Sequence, residues 1–242
     1  MSPKPSFPFP IRTIANDKVK LLPFTADRHA DAYFTQTVSH PELYVHMPTG
    51  PFVRKEEFIE QLLEKTTLQD PGWFTYAVID KTRQASAEDD EGELAGMISF
   101  LNTSAAHMST EIGCIVILPP FHRTHVTTNA AGLMLQFALN SPIDGGLDLR
   151  RVVWQVSSMN AASIRVAERL GFHQEGLLRW HFVFPNAIQM GKVGNGRALP
   201  PGCSEHDLGR DTVVFSMYWG RLATRNACKG RRGYDTEKVR VW

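Results

Sequence analysis

Cysteine is scarce in this chain: Cys114, Cys203 and Cys228 are the three in 242 residues. They are far apart and odd in number, and no C-x-x-C spacing occurs. Neither a disulfide framework nor a metal site is therefore expected, and the usage suits a reducing, cytoplasmic compartment. A surplus of one charge is also missing. Lys and Arg number 26 against 25 Asp and Glu, a formal net charge of +1. That argues against a general nucleic-acid binder, which needs a cationic stripe. No apolar run approaches the ~18 residues of a membrane span. Met1 to Pro10 lacks the charged start and apolar core of a secretory signal. Repeats and low-complexity linkers are absent, which favours one folded unit. Hydrophobic residues make up 43% of the chain, enough for a full core.

Hydrophobic periodicity orders what is there. Residues 19–22 read as a short strand. Residues 26–38 read as a helix, ended before His40-Pro41 because a residue preceding proline avoids the α region. Residues 54–65 form a second helix with Phe58, Ile59, Leu62 and Leu63 on one face. Residues 73–80, 94–102 and 111–118 read as strands. The acidic stretch Glu88, Asp89, Asp90, Glu91 between the first two of these is expected as a solvated hairpin loop. A helix over 123–140 carries Ala130, Leu133, Met134, Phe137 and Ala138 at helical spacing. Residues 151–156 are a buried strand, followed by the best-marked helix of the chain. Asn160 is placed to cap its first turn. Ile164, Ala167 and Leu170 form its apolar stripe, and Gly171-Phe172 should end it with a left-handed residue and a Schellman contact. Strands over 177–184 and 212–218 follow. Between them residues 186–206, rich in Gly and Pro, show no period and read as an insertion. The expected organisation is an arm over 1–18, a domain over 19–220 with the 186–206 insertion loop, and a basic tail over 221–242.

The run Asn160-Ala161-Ala162-Ser163-Ile164-Arg165-Val166-Ala167-Glu168-Arg169-Leu170-Gly171-Phe172 has the form N-x-x-S-x-x-x-x-E-x-x-G-F after a buried strand. It resembles the acyl-CoA-binding core of the GNAT acetyltransferase superfamily. Glu175-Gly176-Leu177-Leu178-Arg179 and the later Arg210-Asp211-Thr212-Val213-Val214-Phe215-Ser216 resemble its RimJ/RimL-like branch. The resemblance implies an α/β single-domain GNAT fold. That is a mixed, twisted sheet of about six to seven strands, with helices on both faces and a splayed central strand pair. It implies an acetyl-CoA-dependent N-acetyltransferase acting on a primary amine, either a protein N-terminus or a small molecule, by direct attack in a ternary complex. The alternative is an acyl-CoA-binding GNAT-fold protein without transferase activity. Acetyl-CoA and an amine acceptor are then the partners, and a homodimer is left open.

The same resemblance assigns site residues. A helix starting in the turn Phe121 to Thr128 presents unpaired N–H groups and partial positive charge, which suit an anion. The CoA pyrophosphate is expected there, against Arg123, Thr124, His125, Val126, Thr127 and Thr128, although the glycines usual in that turn are missing. The strand that begins at Glu111 should be bulged, so that the pantetheine arm adds to it like a strand. A backbone N–H of Ile115, Val116 or Ile117 would then face the developing oxyanion. Asn160 can use its carbonyl as cap and its amide to reach pantetheine. Many relatives protonate the departing thiolate with a Tyr. None stands in this helix, which leaves Ser163, water or simple release of the thiolate. Glu111 is the candidate general base, with His107 as the alternative. Cys114 reads as a small core residue rather than a nucleophile.

Overall fold

The protein, seen in a computed structural model, is described over residues 7–220, 240 and 241. One sheet with strand order β7-β8-β6-β5-β4-β3-β2-β1-β9 organises it. Its strands are β1 (Ile14–Ala15), β2 (Val19–Pro23), β3 (Phe74–Asp80), β4 (Glu93–Ser104), β5 (Ser109–Ile117), β6 (Arg151–Ser157), β7 (His173–Phe184), β8 (Leu208–Tyr218) and β9 (Arg240–Val241). β2 to β8 account for the expected sheet of about six to seven strands, and β1 and β9 extend it to nine. β1 and β9 are two-residue pairings, too short to show a period. All neighbours run antiparallel except β5 and β6, which are parallel.

The helices are α1 (Ala26–Thr37), α2 (Lys55–Phe58), α3 (Val126–Leu139) and α4 (Ala161–Leu170). α2 continues as a π-helix over Ile59–Leu68, which the apolar spacing alone did not distinguish from an α-helix. β3 is buried at every position, so both faces of the sheet are covered. One layer packs through α1 and α2, where the rings of Tyr33 and Phe58 stack at 4.8 Å and Phe24 meets both edge-on. The other uses α3, whose Phe137 ring lies 6.4 Å from Phe100 of β4. Burying such aromatic pairs contributes about 0.5–1.5 kcal/mol each beyond the area removed from water.

α4 forms as its sequence dictates. The Asn160 side chain accepts the Ser163 N–H at 3.0 Å. Gly171 takes φ 83, and the N–H groups of Gly171 and Phe172 donate to Glu168 O and Ala167 O, a Schellman ending. α3 starts later than expected. Arg123 stands at φ 60, outside the helix, and Thr124 shapes the turn by donating to Phe121 O and accepting from Val126 N–H.

Three further expectations change. Asp89 is not solvated: it is 2% exposed and pairs with Lys20 at 2.8 Å and Arg28 at 3.4 Å, so the acidic stretch is anchored to β2 and α1. Part of the expected arm joins the fold, because Ile14 is fully buried in β1 and Phe7 stacks on Phe100. β7 and β8 begin four residues earlier than their apolar runs suggest, since backbone pairing continues past them. The 186–206 segment contains no helix or strand, yet it is docked. Val193 N–H donates to Val45 O, and Asn195 N–H to Gly209 O. The basic tail falls outside the described residues except for β9, which pairs with β1.

Candidate functional site

β5 and β6 pair only at Ser109–Arg151, Thr110–Val152 and Glu111–Val153. Beyond Glu111 they part. On its other edge β5 is bulged: Met97 faces Val116 and Ser99 faces Gly113, so Cys114 and Ile115 share Ile98. Cys114 takes φ 47 there, a conformation costing on the order of 1–3 kcal/mol for a residue with a Cβ. Gly96 makes room beside the bulge, where a Cβ would fall 2.2 Å from Val116 O. The splayed pair and the bulge predicted from the sequence are both present.

The parting opens a cavity of about 1230 Å³. Ile115, Val116 and Ile117 line one wall; Trp154, Gln155 and Val156 of β6 line the other. The turn before α3 contributes Arg123 and Thr124, α3 itself Thr127 and Thr128, and α4 Asn160 and Ser163. His125 and Val126 stand outside the wall. Val126 is fully buried in the core, and His125 Nε2 lies 3.2 Å from Asp80 Oδ1. The N-cap His125 side chain makes no capping bond, and Thr124 Oγ1 takes the Val126 N–H alone, so the positive end of α3 stays largely open toward the cavity. Arg123, Arg165 and Arg169 line the same cavity, and none forms an ion pair among the described residues. His122, which the sequence placed in this turn without a role, ties it to the end of β5 through Nε2 and Ile117 O at 2.7 Å.

Glu111 sits where the strands fork. It is 7% exposed, and its Oε2 accepts from Asn102 Nδ2 and Gln155 Nε2, both at 2.9 Å. Burial raises its pKa above the usual carboxylate range, while Asn102, the Arg210 charge and Gln155 restrain the rise. The second oxygen has no partner among the described residues. Such a carboxylate can accept a proton at neutral pH and hold it better than a solvated one. His107 is exposed on the β4–β5 hairpin, away from the cavity. Cys114 is half-buried and lines the cavity, not fully in the core as expected; desolvation pushes its thiol up to about 12, which keeps it protonated.

Ser163 meets a residue that periodicity marked only as core. Trp154 donates its indole N–H to Ser163 Oγ at 3.0 Å. This fixes the hydroxyl at the cavity wall and leaves its proton free to donate. No Tyr lines the cavity among the described residues.

The far end of the cavity is built by β7 and β8. Between Leu178–Thr212 and Phe182–Arg210 the register shifts, and Trp180 adopts φ 53. Asp211 holds that bulge by accepting Trp180 N–H at 2.9 Å, and Gly209 leaves room for the Trp180 ring. His181, Phe182 and Arg210 consequently line the cavity. Facing them are His46 and Met47 from the loop after α1. Lys192 of the insertion fixes that loop, donating Nζ to Tyr44 O and Thr49 O at 2.9 and 2.8 Å. None of these residues carried a local sequence signal for the site; the R-D pair at 210–211 marked the region only as a family likeness.

The sequence model of the acetyltransferase (GNAT) domain matches residues 18–173. No curated protein matches the chain. Among solved structures, a probable GNAT-family acetyltransferase from Chromobacterium violaceum is 29% identical with a TM-score of 0.70, over 91% of this chain and 92% of that one. A GCN5-related N-acetyltransferase from Brucella melitensis is 25% identical with a TM-score of 0.69, over 98% and 93%. A spermidine N-acetyltransferase from Vibrio cholerae, in complex with CoA and spermine, is 16% identical with a TM-score of 0.61, over 86% and 99%, a likeness of fold. The splayed strands, the open helix end and these matches agree: the chain belongs to the GNAT acetyltransferase family, whose members take their acetyl group from acetyl-CoA.

Proposed function

We propose that the protein transfers the acetyl group of acetyl-CoA to a primary amine by direct attack, with Glu111 as general base. The observation that carries this reading is the position of Glu111, a buried carboxylate at the fork of β5 and β6, on the wall of the cavity. The residues present suit CoA. Arg123, Arg165 and Arg169 with the first turn of α3 supply charge for its phosphates. The unpaired length of β5 supplies backbone for the pantetheine arm, and Asn160 retains a free amide for a pantetheine carbonyl.

In the transfer, the amine nitrogen bonds to the acetyl carbon as the carbon–sulfur bond breaks. Glu111 takes the proton from nitrogen. Ser163, oriented by Trp154, is placed to return a proton to the departing sulfur, and bulk water can reprotonate the hydroxyl. A backbone N–H among Ile115 to Ile117 stabilises the oxyanion. The branch resemblance favours an α-amine, whose pKa of about 8 leaves more neutral nucleophile than a lysine's ~10.4. The scarce, widely separated cysteines favour a reducing, cytoplasmic setting for this reaction.

Thiol release from acetyl-CoA with a panel of amines tests the reading. Glu111→Gln should lower turnover on the order of 10²–10⁴-fold at neutral pH and leave acetyl-CoA binding, read as a melting shift, nearly unchanged. No melting shift of the wild type with millimolar acetyl-CoA would sink the assignment. Unaltered turnover in the variant would remove Glu111 from the mechanism.

A further inference from the structure

Arg210 is 8% exposed and lines the cavity, yet its guanidinium donates no hydrogen bond and forms no ion pair among the described residues. Its Nε is buried without a hydrogen-bond partner, and its guanidinium carbon lies over the Phe182 ring, 5.3 Å from the centroid. A buried cation with every N–H donor idle is costly unless something else meets it. The cavity supplies no protein anion for it. Glu111 senses the Arg210 charge but stays outside ion-pair distance and spends Oε2 on Asn102 and Gln155. Glu42 is taken by His40 at 2.7 Å, and Asp70 accepts the Gly72 N–H at 2.7 Å. His46 and His181 line the same end, and burial, with the Arg210 charge adding to it, disfavours their protonation.

One cavity therefore holds a carboxylate and a guanidinium that do not neutralise each other by contact. A ligand complementary to that pair has an amine for Glu111 and an anion for Arg210. We infer that Arg210 binds a carboxylate carried by the acceptor, so that the acceptor is a primary amine bearing a carboxylate close to the amine. This rests on the reading of Glu111 as the base. A planar fork of N–H donors fits a carboxylate in two parallel bonds. A phosphate dianion beside Glu111 would leave a surplus negative charge in a poorly solvated site. A polyamine would place a second cation against Arg210. Two sources share the required chemistry: a free α-amino acid, and a peptide whose first residue is acidic.

Matched acceptors decide it, by thiol release with rates expressed per neutral amine. Free amino acids are compared with their amides, and peptides beginning with Asp or Glu with those beginning with Asn or Gln. Spermidine and phosphoethanolamine complete the panel. The wild type should favour the carboxylate member of one series on the order of 10²-fold in kcat/KM, and that series identifies the source. Compared at a pH above the acid limb of both enzymes, Arg210→Met should reduce the favoured acceptors to the level of their neutral partners, abolishing the preference. Arg210→Lys should restore part of the preference. Equal rates across every pair, or better use of spermidine or phosphoethanolamine, would overturn the inference while the transferase reading stands. So would an equal loss for all acceptors in Arg210→Met, which would mark the residue as support for Glu111 alone. If that variant fails to fold, the wild-type comparison decides. Absence of thiol release with every acceptor would overturn both readings.

Discussion

Burial sets the behaviour of Glu111 in two ways that one substitution can separate. Its folded pKa is raised, so the carboxylate form that the proposed proton abstraction needs is lost at a higher pH than for a solvated Glu. The acid limb of the rate profile should lie correspondingly high. In Arg210→Met the limb should move higher still, because a cation that favours the carboxylate is gone. Stability follows the same sign. A carboxyl whose folded pKa exceeds its unfolded value binds protons more tightly when native, so stability is lost as pH rises from the unfolded toward the folded value. Glu111→Gln has no such proton to lose. Its melting temperature should therefore gain on the wild type as pH climbs from the ordinary carboxylate range to neutrality. A constant difference across that range would show that the carboxyl titrates normally.

Two turns between elements shape the two ends of the cavity, and each rests on backbone that most residues avoid. Arg123 occupies φ 60 before α3, a position where glycine costs least. Arg123→Gly should keep or relax the turn while removing its cation. CoA affinity should fall, with little loss for pantetheine fragments that lack the nucleotide; equal losses for both ligands would assign Arg123 to the fold. At the other end, a Cβ on Gly209 would lie 2.3 Å from Trp180 Cζ3. Gly209→Ala must displace the ring that the β7 bulge is built around, at a cost of about 1–3 kcal/mol. The acceptor KM should rise while acetyl-CoA binding holds, since His181, Phe182 and Arg210 move and the α3 turn does not. A variant with weakened acetyl-CoA binding and an unchanged acceptor KM would show that this bulge does not shape the acceptor end.

At the scale of the molecule, the insertion braces the loop after α1 against β8. Lys192 is 7% exposed, and burial lowers its pKa to about 8 although two carbonyls hold its ammonium. A lysine with a depressed folded pKa binds protons more tightly when unfolded. Stability therefore rises with pH between the folded value and the ordinary lysine range. Denaturation of the wild type and of Lys192→Met from about pH 8 to pH 10 should show the wild type gaining on the variant. Parallel curves would mean that the two carbonyls restore an ordinary pKa. At neutral pH the variant should also raise the acceptor KM, because the loop carrying His46 loses its tie.

The sequence by itself determined what short-range hydrogen bonds and periodicity determine. α4 was legible to the residue because its cap spans three positions and its ending a single turn. The order of strands and helices along the chain followed from alternation, and the bulge of β5 from family likeness. Its readings stopped at contacts between distant segments. Trp154 and Ser163 are nine residues apart, but the indole bond exists only because α4 packs across β6. His46, Glu111, His181 and Arg210 meet only through sheet register and a docked insertion, and no local pattern marks a residue that will lie across a cavity. The burial of Asp89 and Arg210 was equally invisible, since a charge enters the interior only when tertiary packing takes it out of water and decides what, if anything, it will face there.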